Sequence, residues 1–155
     1  CWLVFNIGDS RVYLLRRGLL TQITADHSVR HEGPGSISRN VITRALGGGL
    51  TQPLHPDQWL IPALPQDQLL ICSDGLYIGL TQQLMTAILL GDGNPQTKAE
   101  ALVDAANAAG GRDNATAVVV VADDVAPVSG TAMRINEATV RDDETETAQE
   151  EELVP

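Results

Sequence analysis

The sequence predicts an α+β domain with helices packed on an antiparallel sheet, and three observations carry that reading. Short apolar runs fill the first half of the chain, most of them closed by a turn containing Gly or Pro. The apolar period then turns helical near Leu80. A Val-rich run, Ala115 to Ala122, returns to strand character. Strands, then two helices, then a strand is the order of an α+β domain rather than a doubly wound one.

Each element has its own signal. Trp2 to Ile7 is apolar and ends at Gly8, Val12 to Leu15 is closed by Arg16-Arg17-Gly18, and Leu19 to Thr24 follows. Separated by Gly-containing turns, these three are expected to form an antiparallel meander. His31 to Ser38 holds Gly33-Pro34-Gly35 and reads as a loop. Asn40 to Leu46 is mixed, and Gly47-Gly48-Gly49 then breaks the chain. Trp59 to Leu64 and Gln68 to Cys72 are further strands, joined by a turn at Pro65-Gln66-Asp67. Leu80, Leu84, Met85, Ile88 and Leu89 share a helical face behind Thr81 as N-cap, which places a helix near 81–90. Asn94-Pro95 couples an N-cap to a proline at the first helical position. Ala101, Leu102, Ala105, Ala106 and Ala109 continue at helical spacing to Gly110-Gly111, so a second helix is expected near 95–109. Ala115 to Ala122 is then read as a strand buried on both faces.

After Asp124 the composition shifts toward Glu, Asp and Thr. Residues 131–155 hold eight acids against Arg134 and Arg141, with few large apolar side chains to anchor them. Two regions are therefore expected: a folded part over 1–124 and an acidic disordered tail or linker over 125–155.

Composition narrows the function classes. Of 155 residues, 43% are apolar and 19% charged, enough for one globular domain with a real core. The longest apolar stretch is strand length, well short of the ~18 residues of a membrane helix. No basic-then-apolar leader opens the chain. The first residue, Cys1, stands inside an apolar run, so a fragment of a longer protein is expected. Two cysteines, Cys1 and Cys72, make neither a disulfide framework nor a CxxC metal site, which fits a cytoplasmic location. The net charge of −10 is uneven, since residues 1–50 carry six Arg against Asp9, Asp26 and Glu32. With aromatics at 3% and no basic stripe, nucleic acid is not an expected partner.

Four short segments carry the chemistry: Gly8-Asp9-Ser10-Arg11, Thr43-Arg44-Ala45-Leu46-Gly47, Ser73-Asp74-Gly75-Leu76 and Gly111-Arg112-Asp113-Asn114. Asp9, Asp74 and Asp113 each lie where an apolar strand meets a turn. Taken singly, Asp beside Gly or Asn is ordinary turn chemistry. Taken together on neighbouring strands, three carboxylates gather at one sheet end and call for a cation, with hard oxygens suited to Mg²⁺ or Mn²⁺. Asp26-His27-Ser28 has triad residue types without a GxSxG elbow, so His27 is read as a structural histidine. Gly47-Gly48-Gly49 lacks the Walker lysine, and His31 and His55 have no paired ligands. Cys72 is read as inert packing, its thiol raised by nearby aspartates. Arg11, Arg39 and Arg44 either attract phosphorylated segments or pair with the domain's own acids.

In this order the stretches NIGDSRVYLLRRGLLTQITADHS, RNVITRALGG, LLICSDGLY and GGRDNATAVVVV resemble the C-terminal half of the bacterial metal-dependent type 2C protein serine/threonine phosphatases, from about Trp2 to Ala122. Each motif alone is common, whereas four in sequence with matching strand contexts are specific. The resemblance implies part of a four-layer α-β-β-α sandwich with antiparallel sheets, its N-terminal portion missing. It implies two Mg²⁺ or Mn²⁺ ions at one end of the sheets, sharing an activated water that attacks phosphorus in line, and in some members a third, weaker metal. It assigns Asp74 and Asp113 as metal ligands, and Asp9 as the aspartate some members use for that third ion. Asn114 would hold the Asp113 loop, while Ser73 and Gly75 would shape the strand end. The implied partners are phosphoprotein substrates of Ser/Thr kinases, met by a monomer with no membrane segment here. The family's Asp-Gly metal motif, phosphate-binding Arg and general-acid His precede GDSR and have no counterpart in this chain. Only eleven residues separate His27 from Arg39, a shorter flap than bacterial relatives carry.

Two readings from different classes follow. One is part of a phosphatase catalytic domain; the other is a phosphatase-like module that binds partners without catalysis. Retention of Asp9, Asp74 and Asp113 favours the first. A plain Ca²⁺-binding domain would need the EF-hand loop pattern, which is absent.

Overall fold

The computed structural model describes residues 1–31, 39–48 and 55–125. The expected loop at 32–38, most of the expected 125–155 tail and the end of the Gly47-Gly48-Gly49 break lie outside the described residues. The elements run β1 (Trp2–Asn6), β2 (Arg11–Arg16), β3 (Leu19–Gln22), β4 (Ser28–His31), β5 (Arg39–Ile42), β6 (Asp57–Ile61), β7 (Gln68–Cys72), α1 (Asp74–Tyr77), α2 (Gln82–Leu90), α3 (Pro95–Ala108) and β8 (Ala117–Val121). The α+β class with antiparallel sheets is the one the apolar periods predict.

One sheet has the order β3-β2-β7-β8, a second pairs β1 with β6, and β4 with β5 forms a hairpin. Alternation along β2 and β7 sends side chains to both faces of the four-stranded sheet. Tyr13, Leu15, Leu70, Cys72 and Val119 pack on one face with Leu76, Leu80, Met85, Leu89, Leu102 and Ala106 from the helices. Val12, Leu14 and Leu69 pack on the other with Val4, Trp2, Trp59 and Ile61 from β1 and β6. The order of layers is therefore helices, four-stranded sheet, two-stranded sheet. Thr81 caps α2 by accepting from the Leu84 N–H, and Asn94 caps α3 by accepting from the Thr97 N–H. Both caps agree with the sequence reading.

Three expectations change. The first three strands are not a meander: β2 and β3 form a hairpin, but β1 pairs with β6 in the other sheet. Val4 is buried by packing with Val12, Leu14 and Leu69 of the four-stranded sheet, which draws β1 over that sheet and away from its edge. The final strand is not buried on both faces, because Val118 and Val120 are 47% and 36% exposed beside buried Val119. It is an edge strand among the described residues, paired with β7 only. Leu84, placed on the inner face of α2 by its spacing, is exposed. The hairpin β4–β5 and the single turn α1 have no counterpart in the sequence reading.

Candidate metal centre

Strand register brings the acidic segments to one end of the four-stranded sheet. Arg11 lies opposite Cys72, and Cys72 opposite Ala117. Asp9 just precedes β2, Asp74 just follows β7 and Asp113 just precedes β8, so antiparallel pairing carries all three to the same edge.

Asp74 opens α1, where its Oδ1 accepts the Gly75 N–H at 2.8 Å. Ser73 makes no side-chain cap. Its hydroxyl instead donates to the Asn114 carbonyl at 3.2 Å and accepts the Thr116 N–H at 3.0 Å. This stitches the Asp113-Asn114 loop to the end of β7. Gly75 is required at that seam: a Cβ there would stand 2.4 Å from the Asn114 carbonyl oxygen. Asp113 is exposed, and its Oδ1 accepts the Asn114 N–H at 2.7 Å. Asn114 thus holds the loop through its backbone N–H and carbonyl, and Ser73 and Gly75 shape the strand end.

Asp9 is reached from the helix side. The Tyr77 hydroxyl, on α1, donates to the Asp9 carbonyl at 3.0 Å. Burial pushes the Tyr77 hydroxyl upward, with Asp9, Asp26 and Asp74 adding to the shift and Arg11 opposing it. Arg11 stacks on the Tyr77 ring at 3.6 Å from its centroid, donates to the Tyr13 hydroxyl, and pairs with Asp26 at 2.6 Å. Arg44 pairs with Asp57 at 2.9 Å. Arg11 and Arg44 therefore bind the domain's own acids, the second of the two roles open to them.

The Asp9 segment and α1 are joined through Tyr77, and the Asp113 loop rests against Gly75. They do not close into a cage: among the described residues no three His, Cys, Asp or Glu side chains are grouped to hold an ion. The donor set is nonetheless hard carboxylate oxygen, the chemistry that suits Mg²⁺ or Mn²⁺. A cleft of about 380 Å³ between α1 and the end of α3 is bordered by Gly75, Gly79, Ala106, Arg112 and Asp113. Cys72 is buried and its thiol is pushed up to about 12. Burial is the cause, not neighbouring aspartates as the sequence suggested.

Sequence reasoning missed Tyr77 and Asp57. The target of Tyr77 is a backbone carbonyl 68 positions away, which no local pattern marks.

No protein-family model matches the chain. The serine/threonine phosphatase stp of Listeria monocytogenes is 37% identical over 131 residues, 77% of this chain and 51% of that protein. The protein phosphatase PhpP of Streptococcus pneumoniae is 33% identical over 126 residues, 74% of this chain and 50% of its own. Among solved structures, the PPM Ser-Thr phosphatase MsPP from Mycobacterium smegmatis in complex with cacodylate is 39% identical, with a TM-score of 0.64 over 77% of this chain and 55% of that one. The catalytic domain of the serine threonine protein phosphatase PstP in complex with two manganese ions is 32% identical, with a TM-score of 0.59 over 76% of this chain and 51% of its own. The relatives define a class, the protein serine/threonine phosphatases. Over about 77% of its length the chain is homologous to the bacterial type 2C (PPM) members of that class. It spans about half the length of the curated relatives it matches. No helix among the described residues is long and apolar enough to cross a membrane.

Proposed function

We propose that residues 1–124 form the C-terminal part of a catalytic domain that hydrolyses phosphoserine and phosphothreonine in proteins, with 125–155 as an acidic tail or linker. One observation carries this reading: three aspartate-bearing segments of a phosphatase-like chain converge at one sheet end, bound to one another by hydrogen bonds. Asp74 and Asp113 would hold Mg²⁺ or Mn²⁺, with Asp9 serving a third, weaker ion. When bound, such ions lower the pKa of a coordinated water to make a nucleophile at neutral pH. The chain's own residues supply the frame. Ser73 and Gly75 hold the Asp113 loop against β7, while Tyr77 and Arg11 hold the Asp9 segment against α1. The substrates are phosphoproteins made by Ser/Thr kinases, met in the cytoplasm by a protein monomeric once its apolar faces are covered.

A second reading, a phosphatase-like module without catalysis, draws on the open arrangement of the three acids. Hydrolysis of p-nitrophenyl phosphate and of a phosphothreonine peptide in excess Mn²⁺ separates the two. The full-length protein is expected to turn over both substrates. The 155-residue chain alone is expected to show little or none, because the phosphate-positioning Arg and general acid lie outside it. General acid–base transfer alone contributes about 10²- to 10⁴-fold. Asp74→Asn or Asp113→Asn in the full-length protein should nearly abolish turnover and weaken Mn²⁺ binding. Wild-type activity in either variant at limiting Mn²⁺ would refute the ligand assignment, and an inactive full-length protein would establish the module.

A further inference from the structure

His27 is 5% exposed, and both of its ring nitrogens are engaged by the protein. Nδ1 lies 3.1 Å from the Gly8 backbone N–H, and Nε2 lies 3.0 Å from Asp57 Oδ2. An N–H can be received only by a nitrogen with a free lone pair, so Nδ1 is bare and Nε2 carries the proton, which it donates to Asp57. Asp57 is held in turn by both terminal nitrogens of Arg44, at 2.9 and 3.2 Å. The backbone repeats the grip. The His27 N–H donates to the Gly8 carbonyl at 3.0 Å, the Asn6 amide donates to the same carbonyl at 3.2 Å, and the Thr43 N–H donates to the His27 carbonyl at 2.8 Å.

Gly8 therefore has its N–H and carbonyl both bound to His27, at a φ of +117° that side-chain-bearing residues rarely adopt. The next residue is Asp9, whose own carbonyl receives the Tyr77 hydroxyl. We propose that His27, oriented by Asp57 and Arg44, is a positioning residue that sets the Gly8 turn and so delivers Asp9 to the site. This rests on the reading that Asp9 belongs to the metal centre. It gives the DHS and TRALGG segments a shared role: one supplies the imidazole and the other the guanidinium that orients it through Asp57. With both ring nitrogens bound inside the protein, His27 has none left for a substrate or a reacting water.

The test uses the ¹⁵N-labelled 155-residue chain. Ring nitrogen shifts of wild-type His27 should report a bare Nδ1 and a protonated Nε2; the opposite tautomer overturns the proposal without any variant. His27→Asn keeps an acceptor near the Nδ1 position, whereas His27→Gln moves the amide out to the Nε2 position and leaves the Gly8 N–H unpaired. Gly8 amide exchange should quicken by roughly five- to tenfold in H27Q, the range of one lost hydrogen bond, and return toward wild type in H27N. An unchanged Gly8 amide in folded H27Q overturns the proposal. Added Mn²⁺ reads the site itself. Paramagnetic broadening at Asp9 should fall in H27Q while that at Asp74 and Asp113 persists, and equal broadening at Asp9 in wild type and H27Q overturns the link to the site. No broadening at any of the three in wild type would instead remove the metal reading of the proposed function, with the Gly8 exchange still deciding whether His27 sets the turn.

Discussion

Asp67, at the turn before β7, is 1% exposed and accepts from four donors. Arg16 reaches it at 2.8 and 2.7 Å, the Leu64 N–H at 2.9 Å and the Trp2 indole at 3.2 Å. Trp2 belongs to one sheet and Arg16 to the other, so this carboxylate fastens the layers together. Arg16 first among these partners holds the Asp67 carboxyl at about 2, below the usual 3.8. Because the folded value is the lower one, the stabilisation is full above pH 4 and is lost as pH falls toward 2; its size is on the order of 2 kcal/mol. Asp67→Asn should therefore unfold at lower urea than wild type at pH 7, with the gap closing as the pH approaches 2. A gap that stays constant across that range would show that the pair does not titrate with folding. Gly75→Ala tests the seam at the opposite end of β7 in the same direct way. The added Cβ meets the Asn114 carbonyl, so the Asp113 loop must shift and stability should drop by about 1–3 kcal/mol. Amide shifts of Asp113 and Asn114 that stay at wild-type values would count against that contact.

At the scale of elements, the helices owe their limits to caps and their stability to packing. A helix as short as α1 has no stability of its own. It persists because Leu76 is fully buried among α3 and the sheet, and because Tyr77 is bonded to Asp9. The start of α3 is local: Asn94→Ala removes the acceptor for the Thr97 N–H and should cost about 1 kcal/mol, read from the urea midpoint with an unchanged slope. The helix periods and both N-caps were legible in the sequence because they rest on contacts three or four residues apart. The pairing of β1 was not legible. Its partner β6 lies more than fifty positions away, and choosing between lying beside β2 and lying over it depends on which apolar faces meet. The β4–β5 hairpin was missed because its residues are mixed in polarity and carry no clear period-two pattern.

Taken together, the described residues leave apolar surface uncovered. Leu3, Phe5 and Leu60 stand on the outer face of the β1–β6 sheet at 56%, 54% and 50% exposure. Ile71, Val118 and Val120 are exposed on the inner face of the four-stranded sheet, beyond the reach of two strands. A face of this kind associates when nothing covers it. The 155-residue chain by itself should sediment as concentration-dependent oligomers and bind an apolar dye. Phe5→Lys with Leu60→Lys should shift it toward monomer at little cost in stability, since both side chains already face solvent. A monodisperse wild-type monomer without dye binding would show that these residues are harmless where they stand.

The α+β class and the starts of α2 and α3 were settled by the sequence alone, because each rests on residue type, short-range period or turn chemistry. Asp9, Asp74 and Asp113 could be singled out from strand ends before any geometry was known. Tertiary structure alone decided which strands pair, that β8 has an open face, and which side chains hold the aspartates in place. The Tyr77 bond to Asp9, the Ser73 bonds to Asn114 and Thr116, and the grip of His27 on Gly8 join positions far apart in the chain. A hydrogen bond has no preferred separation in sequence, only in space, so these contacts form only once the register of the strands has placed their partners side by side.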